Sequence, residues 1–301
     1  MVMQKKDSQN RTLALWAIDP HESDLIPSYE ALQEVRHFLG GSFEHVYPTY
    51  VHFASAAPWV QPEVRTRDYL DRLLVGKTAG VHIIEIKSDL ISDGVDSLLK
   101  YAESQMATVI LLTSHGRSAL GQFIYGSFAY EVLQRSKIPV LFMAPKKIQA
   151  RSDRALFATD FHESTFKSYQ NFLKFISGST SELMLFHSVT FPAAAMVSAY
   201  IPGDLPEKII ADEVVWAKDE MDRWALEAKK YGITTRVCKN VEENFMSASE
   251  AINRIATKQN AGVVGVASHT GAQSGPFGNN VARQMIRAKD FSIWVTGPQF
   301  S

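Results

Sequence analysis

The residues best suited to chemistry are two strand-ending aspartates and one glycine-bearing loop. The loop lies within Val109 to Pro145, VILLTSHGRSALGQFIYGSFAYEVLQRSKIPVLFMAP. Val109 to Leu112 is a continuous apolar run, as expected for a strand buried on both faces of a parallel sheet. Ser114, His115, Gly116 and Arg117 follow, and ten positions after Gly116 come Gly126 and Ser127. From Phe128 the apolar residues fall at helical spacing, and Ile138 to Met143 is a second apolar run. A loop between a buried strand and a helix N-terminus gathers free backbone N–H groups, a seat for phosphate. Glycine lets the backbone approach phosphate oxygens with no β-carbon in the way. Ser127 adds a hydroxyl donor where the helix dipole favours anions. Arg117 either adds a charge to the same phosphate or is a solvated side chain.

Asp19 ends the strand-like run Thr12 to Ile18 and is followed by Pro20, His21, Glu22 and Ser23. Asp160 ends Arg154 to Thr159 and is followed by Phe161, His162, Glu163 and Ser164. Four of these five residues coincide. In open parallel sheets, ligands bind outside the carboxyl ends of the strands, where strand order reverses. The other reading is that each aspartate accepts N–H groups from its own turn.

These residues resemble the universal stress proteins. That family's signature is Gly, two residues, Gly, nine residues, Gly, then Ser or Thr. Gly116, nine residues, Gly126 and Ser127 fit its second half, while Thr113 stands at the place of the first glycine. The resemblance implies an adenine nucleotide, chiefly ATP. Asp19 would then lie against adenine and ribose. Thr113, His115 (through its backbone), Gly116, Arg117, Gly126 and Ser127 would line the rest of the site. In the second half the loop reads SHTGAQSGPFGNNVARQ, with Ser268-His269 in place of Ser114-His115; it is one residue shorter and its register is lost: Thr270 replaces Gly116, and Asn279-Asn280 replaces Gly126-Ser127. We expect a degenerate site there.

The elements that position these groups alternate. After the first strand come a helix over Ile26 to Leu39, a strand over Glu44 to Phe53, and a helix over Pro62 to Gly76. A strand over Val81 to Ile86 and a helix over Gly94 to Met106 lead into Val109. Pro48 marks the second strand as an edge or a bulge. Alternation of this kind predicts a parallel sheet with helices on both faces. The duplicated aspartates, and the matched stretches Ala129 to Pro145 and Ala282 to Pro298, predict a whole-domain repeat. We therefore expect an α/β chain of two tandem flavodoxin-like (Rossmann-like) domains, each a five-stranded parallel sheet, over 1–147 and 153–301. The second copy has an insertion, Phe191 to Gly203, and a long helix from Leu205 to Lys230 that puts Trp216 and Trp224 on one face.

Composition narrows the function. Lys plus Arg is 31 and Asp plus Glu is 32, which gives no electrostatic case for nucleic acid or for an anionic membrane surface. The single cysteine, Cys238, fits a reducing compartment, and no run approaches membrane-span length, so a cytoplasmic protein is expected. The nine histidines show no metal-ligand spacing. No Gly-x-Ser-x-Gly elbow exists and no general base is identifiable, so no catalytic residue is assigned. The expected function is nucleotide binding in a stress response. The rival is a nucleotide-free scaffold, or a small-molecule or lipid sensor using the 191–203 insertion. The final strands, Ile138 to Met143 and Ser292 to Thr296, are expected to pair within the chain, with a homodimer as the other way to satisfy them.

Overall fold

The computed structural model describes residues 12–21, 26–39, 41, 44–55, 61–73, 81–113, 127–144, 153–188, 205–240, 247–267, 281–286 and 291–300. Compactness divides the chain into two units. One comprises Met1–Arg151 with Ile286–Ser301, the other Ser152–Met285.

The first unit contains β1 (Ala14–Ile18), α1 (Ile26–Arg36), β2 (Val46–Phe53), α2 (Pro62–Arg72), β3 (His82–Ile86), α3 (Ile91–Ser104), β4 (Val109–Thr113), α4 (Ser127–Arg135) and β5 (Val140–Met143). The strands are parallel, in the order β3-β2-β1-β4-β5. Every residue of β4 and β5 is buried, so both faces of these strands are covered, as their unbroken apolar runs require. Trp16, on β1, is wholly buried and packs against Tyr69 of α2. Arg36 donates from Nε to the carbonyl of Gly41, whose φ of 79° is the left-handed turn expected just past a helix.

Pro48 does not put β2 at an edge: β2 lies between β1 and β3. Pro48 pairs with Trp16 of β1, while the β3 ladder starts one residue later, at Thr49 and His82. The missing N–H therefore falls where β2 has a neighbour on one side only.

The second unit contains β6 (Arg154–Ala158), α5 (Glu163–Ile176), β7 (Glu182–Ser188), α6 (Leu205–Lys229), β8 (Thr234–Asn240), α7 (Ala248–Lys258), β9 (Val263–Ala267) and α8 (Val281–Met285). Its strands are parallel, in the order β9-β6-β7-β8. Its core is aromatic. Trp224 is wholly buried against Tyr169 (4.8 Å between centroids) and Phe161 (5.4 Å, edge-on), and the Tyr169 hydroxyl donates to the Trp224 carbonyl at 2.9 Å. Trp216, on the same helix, also meets Phe161 edge-on but stays 44% exposed, so the stripe buries only one of its two tryptophans fully. The insertion, 191–203, lies outside the described residues.

The last strand, β10 (Ser292–Thr296), runs antiparallel to β5, with Ile293 opposite Phe142 and Val295 opposite Val140. This ladder groups the end of the chain with the first unit, whereas the sequence repeat assigns it to the second half. Among the described residues no helix is long and apolar enough to cross a membrane.

Candidate functional site

Strand order reverses once in each unit. In the first, β2 and β3 lie on one side of β1, and β4 and β5 on the other. In open parallel sheets such a reversal, at the carboxyl ends of the strands, is where ligands bind. Asp19 follows β1 and Thr113 ends β4, so two of the sequence-predicted residues flank that point. The Asp19 Oδ1 accepts the His21 N–H at 3.0 Å, the expected turn contact. Thr113 is 5% exposed, and its Oγ1 has no hydrogen-bond partner among the described residues. A buried hydroxyl left unpaired costs about 1–3 kcal/mol, so this one has a reason to be there. Ser127 opens α4 and is exposed, as a helix-start donor needs to be. His115, Gly116, Arg117 and Gly126 lie outside the described residues.

Beside the Asp19 turn lie groups that sequence reasoning missed. Tyr50, on β2, pairs in register with Ile18, the residue before Asp19. Its Oη lies 3.0 Å from His21 Nε2 and 3.3 Å from His52 Nδ1. One imidazole accepts the phenol proton and the other donates to the phenol oxygen. Burial, with the nearby Asp19 carboxylate, pushes the Tyr50 phenol up to about 12, so it stays a neutral donor and acceptor.

In the second unit the reversal falls between β6 and β9. Asp160 repeats the turn of Asp19, its Oδ1 accepting the His162 N–H at 3.0 Å, and adds a bond from Thr165 Oγ1 at 2.7 Å. The two turns differ at the next residue. Phe161 takes a φ of 59°, a conformation closed to Pro20, and is buried. Ala158 pairs with Phe186, which puts His187 at the place of Tyr50. The His187 Nδ1 donates to the Thr159 carbonyl at 2.9 Å. A cavity of about 220 Å³ opens here, at the carboxyl ends of β6, β7 and β9.

The model of the universal stress protein family matches residues 29–143, from α1 to the end of β5. That stretch carries the universal stress protein domain. Solved structures agree in fold over nearly the full length. A putative universal stress protein from Pseudomonas aeruginosa UCBPP-PA14 has a TM-score of 0.62 at 14% identity, covering 96% of this chain and 95% of that one. A functionally unknown protein from Pseudomonas aeruginosa PAO1 has a TM-score of 0.60 at 14% identity, covering 96% and 94%. A universal stress protein from Archaeoglobus fulgidus DSM 4304 has a TM-score of 0.57 at 20% identity, covering 95% and 99%. No curated protein matches the sequence.

The universal stress protein match starts after β1, so Asp19 stands outside it and rests on its place beside the reversal. Tyr50 and His52 lie inside it. One signal could have found them: they sit two residues apart on a strand, and so share one face.

Proposed function

We propose that the chain is a tandem universal stress protein that binds an adenine nucleotide, chiefly ATP, in its first unit, as part of a cytoplasmic stress response. The observation that carries this reading is the placement of Asp19 and Thr113 on the two strands that flank the strand-order reversal. The universal stress protein match over the same unit supports it. Asp19 receives adenine and ribose. The buried Thr113 hydroxyl, left without a partner among the described residues, bonds the nucleotide where the family has glycine. His115 contributes backbone, and Gly116, Gly126, Ser127 and Arg117 hold the phosphates. The second half of the sequence, 153–301, repeats the first and has lost the phosphate register. Binding rather than turnover is the activity.

Calorimetric titration of ATP into two variants tests this. Gly126→Val is expected to abolish binding, because a branched side chain fills the phosphate seat. Asn279→Val, at the corresponding place in the second copy, is expected to bind as the parent does. Equal losses in both would reverse the ranking of the two units.

A further inference from the structure

His21 stands exposed in the turn after β1, its N–H donated to Asp19 Oδ1. An exposed side chain on a turn ordinarily keeps its rotamer freedom, and fixing it costs entropy. This ring is fixed. Its Nε2 lies 3.0 Å from the Tyr50 hydroxyl, and the two rings meet edge-on with centroids 6.0 Å apart. Tyr50 is 7% exposed, and its hydroxyl lies 3.3 Å from Nδ1 of His52, itself 4% exposed. Among the described residues, these two imidazoles are the hydrogen-bond partners of the Tyr50 hydroxyl. Burying a phenol and an imidazole is costly unless they are bonded, and the bond that reaches the surface goes to His21.

The phenol has one proton, so it donates to one imidazole and accepts from the other. Either order engages His21 through Nε2 and leaves its Nδ1 without a hydrogen bond among the described residues. Where Nε2 accepts, Nδ1 carries the ring proton and is a donor. Where Nε2 donates, the neutral ring has its lone pair on Nδ1, which accepts. A ligand group that suits both orders must donate as well as accept. A sugar hydroxyl does both. A phosphate oxygen only accepts, and each polar atom of adenine does only one of the two.

In the second unit His187 holds the register place of Tyr50, and its Nδ1 donates to the Thr159 carbonyl. The phenol link is therefore a feature of the first unit.

We propose, on the reading of the first unit as an adenine-nucleotide site, that His21 Nδ1 bonds a ribose hydroxyl, and that Tyr50, backed by His52, is the positioning residue that holds the ring for it. The sugar contact then lies on the same turn as Asp19, two residues further on. A ring already held in one orientation loses little freedom on binding, which favours affinity.

Calorimetry on the full chain compares ATP with 2′-deoxy-ATP and 3′-deoxy-ATP, each lacking one ribose hydroxyl, in the parent, His21→Ala, Tyr50→Phe and the double variant. His21→Ala is expected to weaken ATP about fivefold, the loss of one hydrogen bond. It is expected to leave unchanged the affinity for the deoxynucleotide that lacks the contacted hydroxyl. Tyr50→Phe is expected to weaken ATP in the same selective way, by no more than His21→Ala does. The double variant is expected to bind ATP as His21→Ala does, because Tyr50 acts through His21. A general loosening of the turn would weaken all three nucleotides alike. His21 is exposed, so His21→Ala decides the matter even if Tyr50→Phe fails to fold. Equal losses for all three nucleotides in His21→Ala, no loss for any, or additive losses in the double variant would each overturn the proposal. A parent that binds none of the three would overturn the reading of the site itself, and the proposal with it.

Discussion

At the scale of single residues, the clearest feature is a hydroxyl in the wrong place for stability. Thr113 ends an otherwise apolar strand, is buried, and finds no hydrogen-bond partner for its Oγ1 among the described residues. Thr113→Val keeps the shape and removes the polar atom. In the absence of ligand it is expected to raise stability by about 1 kcal/mol. It is also expected to weaken ATP binding if the hydroxyl is a nucleotide contact. Urea melts and calorimetry on the same preparation check both signs; a less stable variant with unchanged affinity would contradict the assignment. The aspartates were legible in the sequence because the repeat prints them twice in the same setting. Tyr50 and His52 were not. Their role depends on which strand lies beside β2, and that register is set by tertiary pairing between Ile18 and Tyr50, far apart in the chain.

At the scale of elements, hydrophobic periodicity carried most of the strand and helix assignment, and its errors have local causes. Pro48 argued for an edge strand because proline lacks a donor, but the structure places it before the second ladder begins, where no donor is needed. Gly265 shows the reverse case, a residue whose reason appears only in packing. It lies opposite Phe157 in register, and a β-carbon there would come within 2.5 Å of the Phe157 ring and 3.0 Å of the Phe172 ring. The strand gives up a side chain so that two aromatic rings can cover it. Gly265→Ala forces one ring out of its position and is expected to destabilise the protein by about 1–3 kcal/mol, measured by denaturant melts. A stability change under a few tenths would show that the rings shift freely.

At the scale of the whole molecule, the repeat and the compact units divide the chain differently. The repeat assigns Ser292–Thr296 to the second copy, whereas pairing with β5 groups it with the first unit. The edge that β5 would otherwise present is thereby covered. Each unit keeps its own strand-order reversal, and the residues beside the two reversals carry different chemistry. The first has a buried hydroxyl with no partner among the described residues, a histidine–tyrosine–histidine chain and a helix that starts with an exposed serine. The second has a small apolar cavity edged by acceptors. One nucleotide per chain is what this asymmetry predicts. The most direct measurement is the adenine nucleotide content of the purified full chain, incubated with ATP, desalted, extracted and quantified by mass spectrometry. The account predicts close to one equivalent per chain. Two equivalents would mean that the second reversal is also a nucleotide site, and none would mean that the first is not.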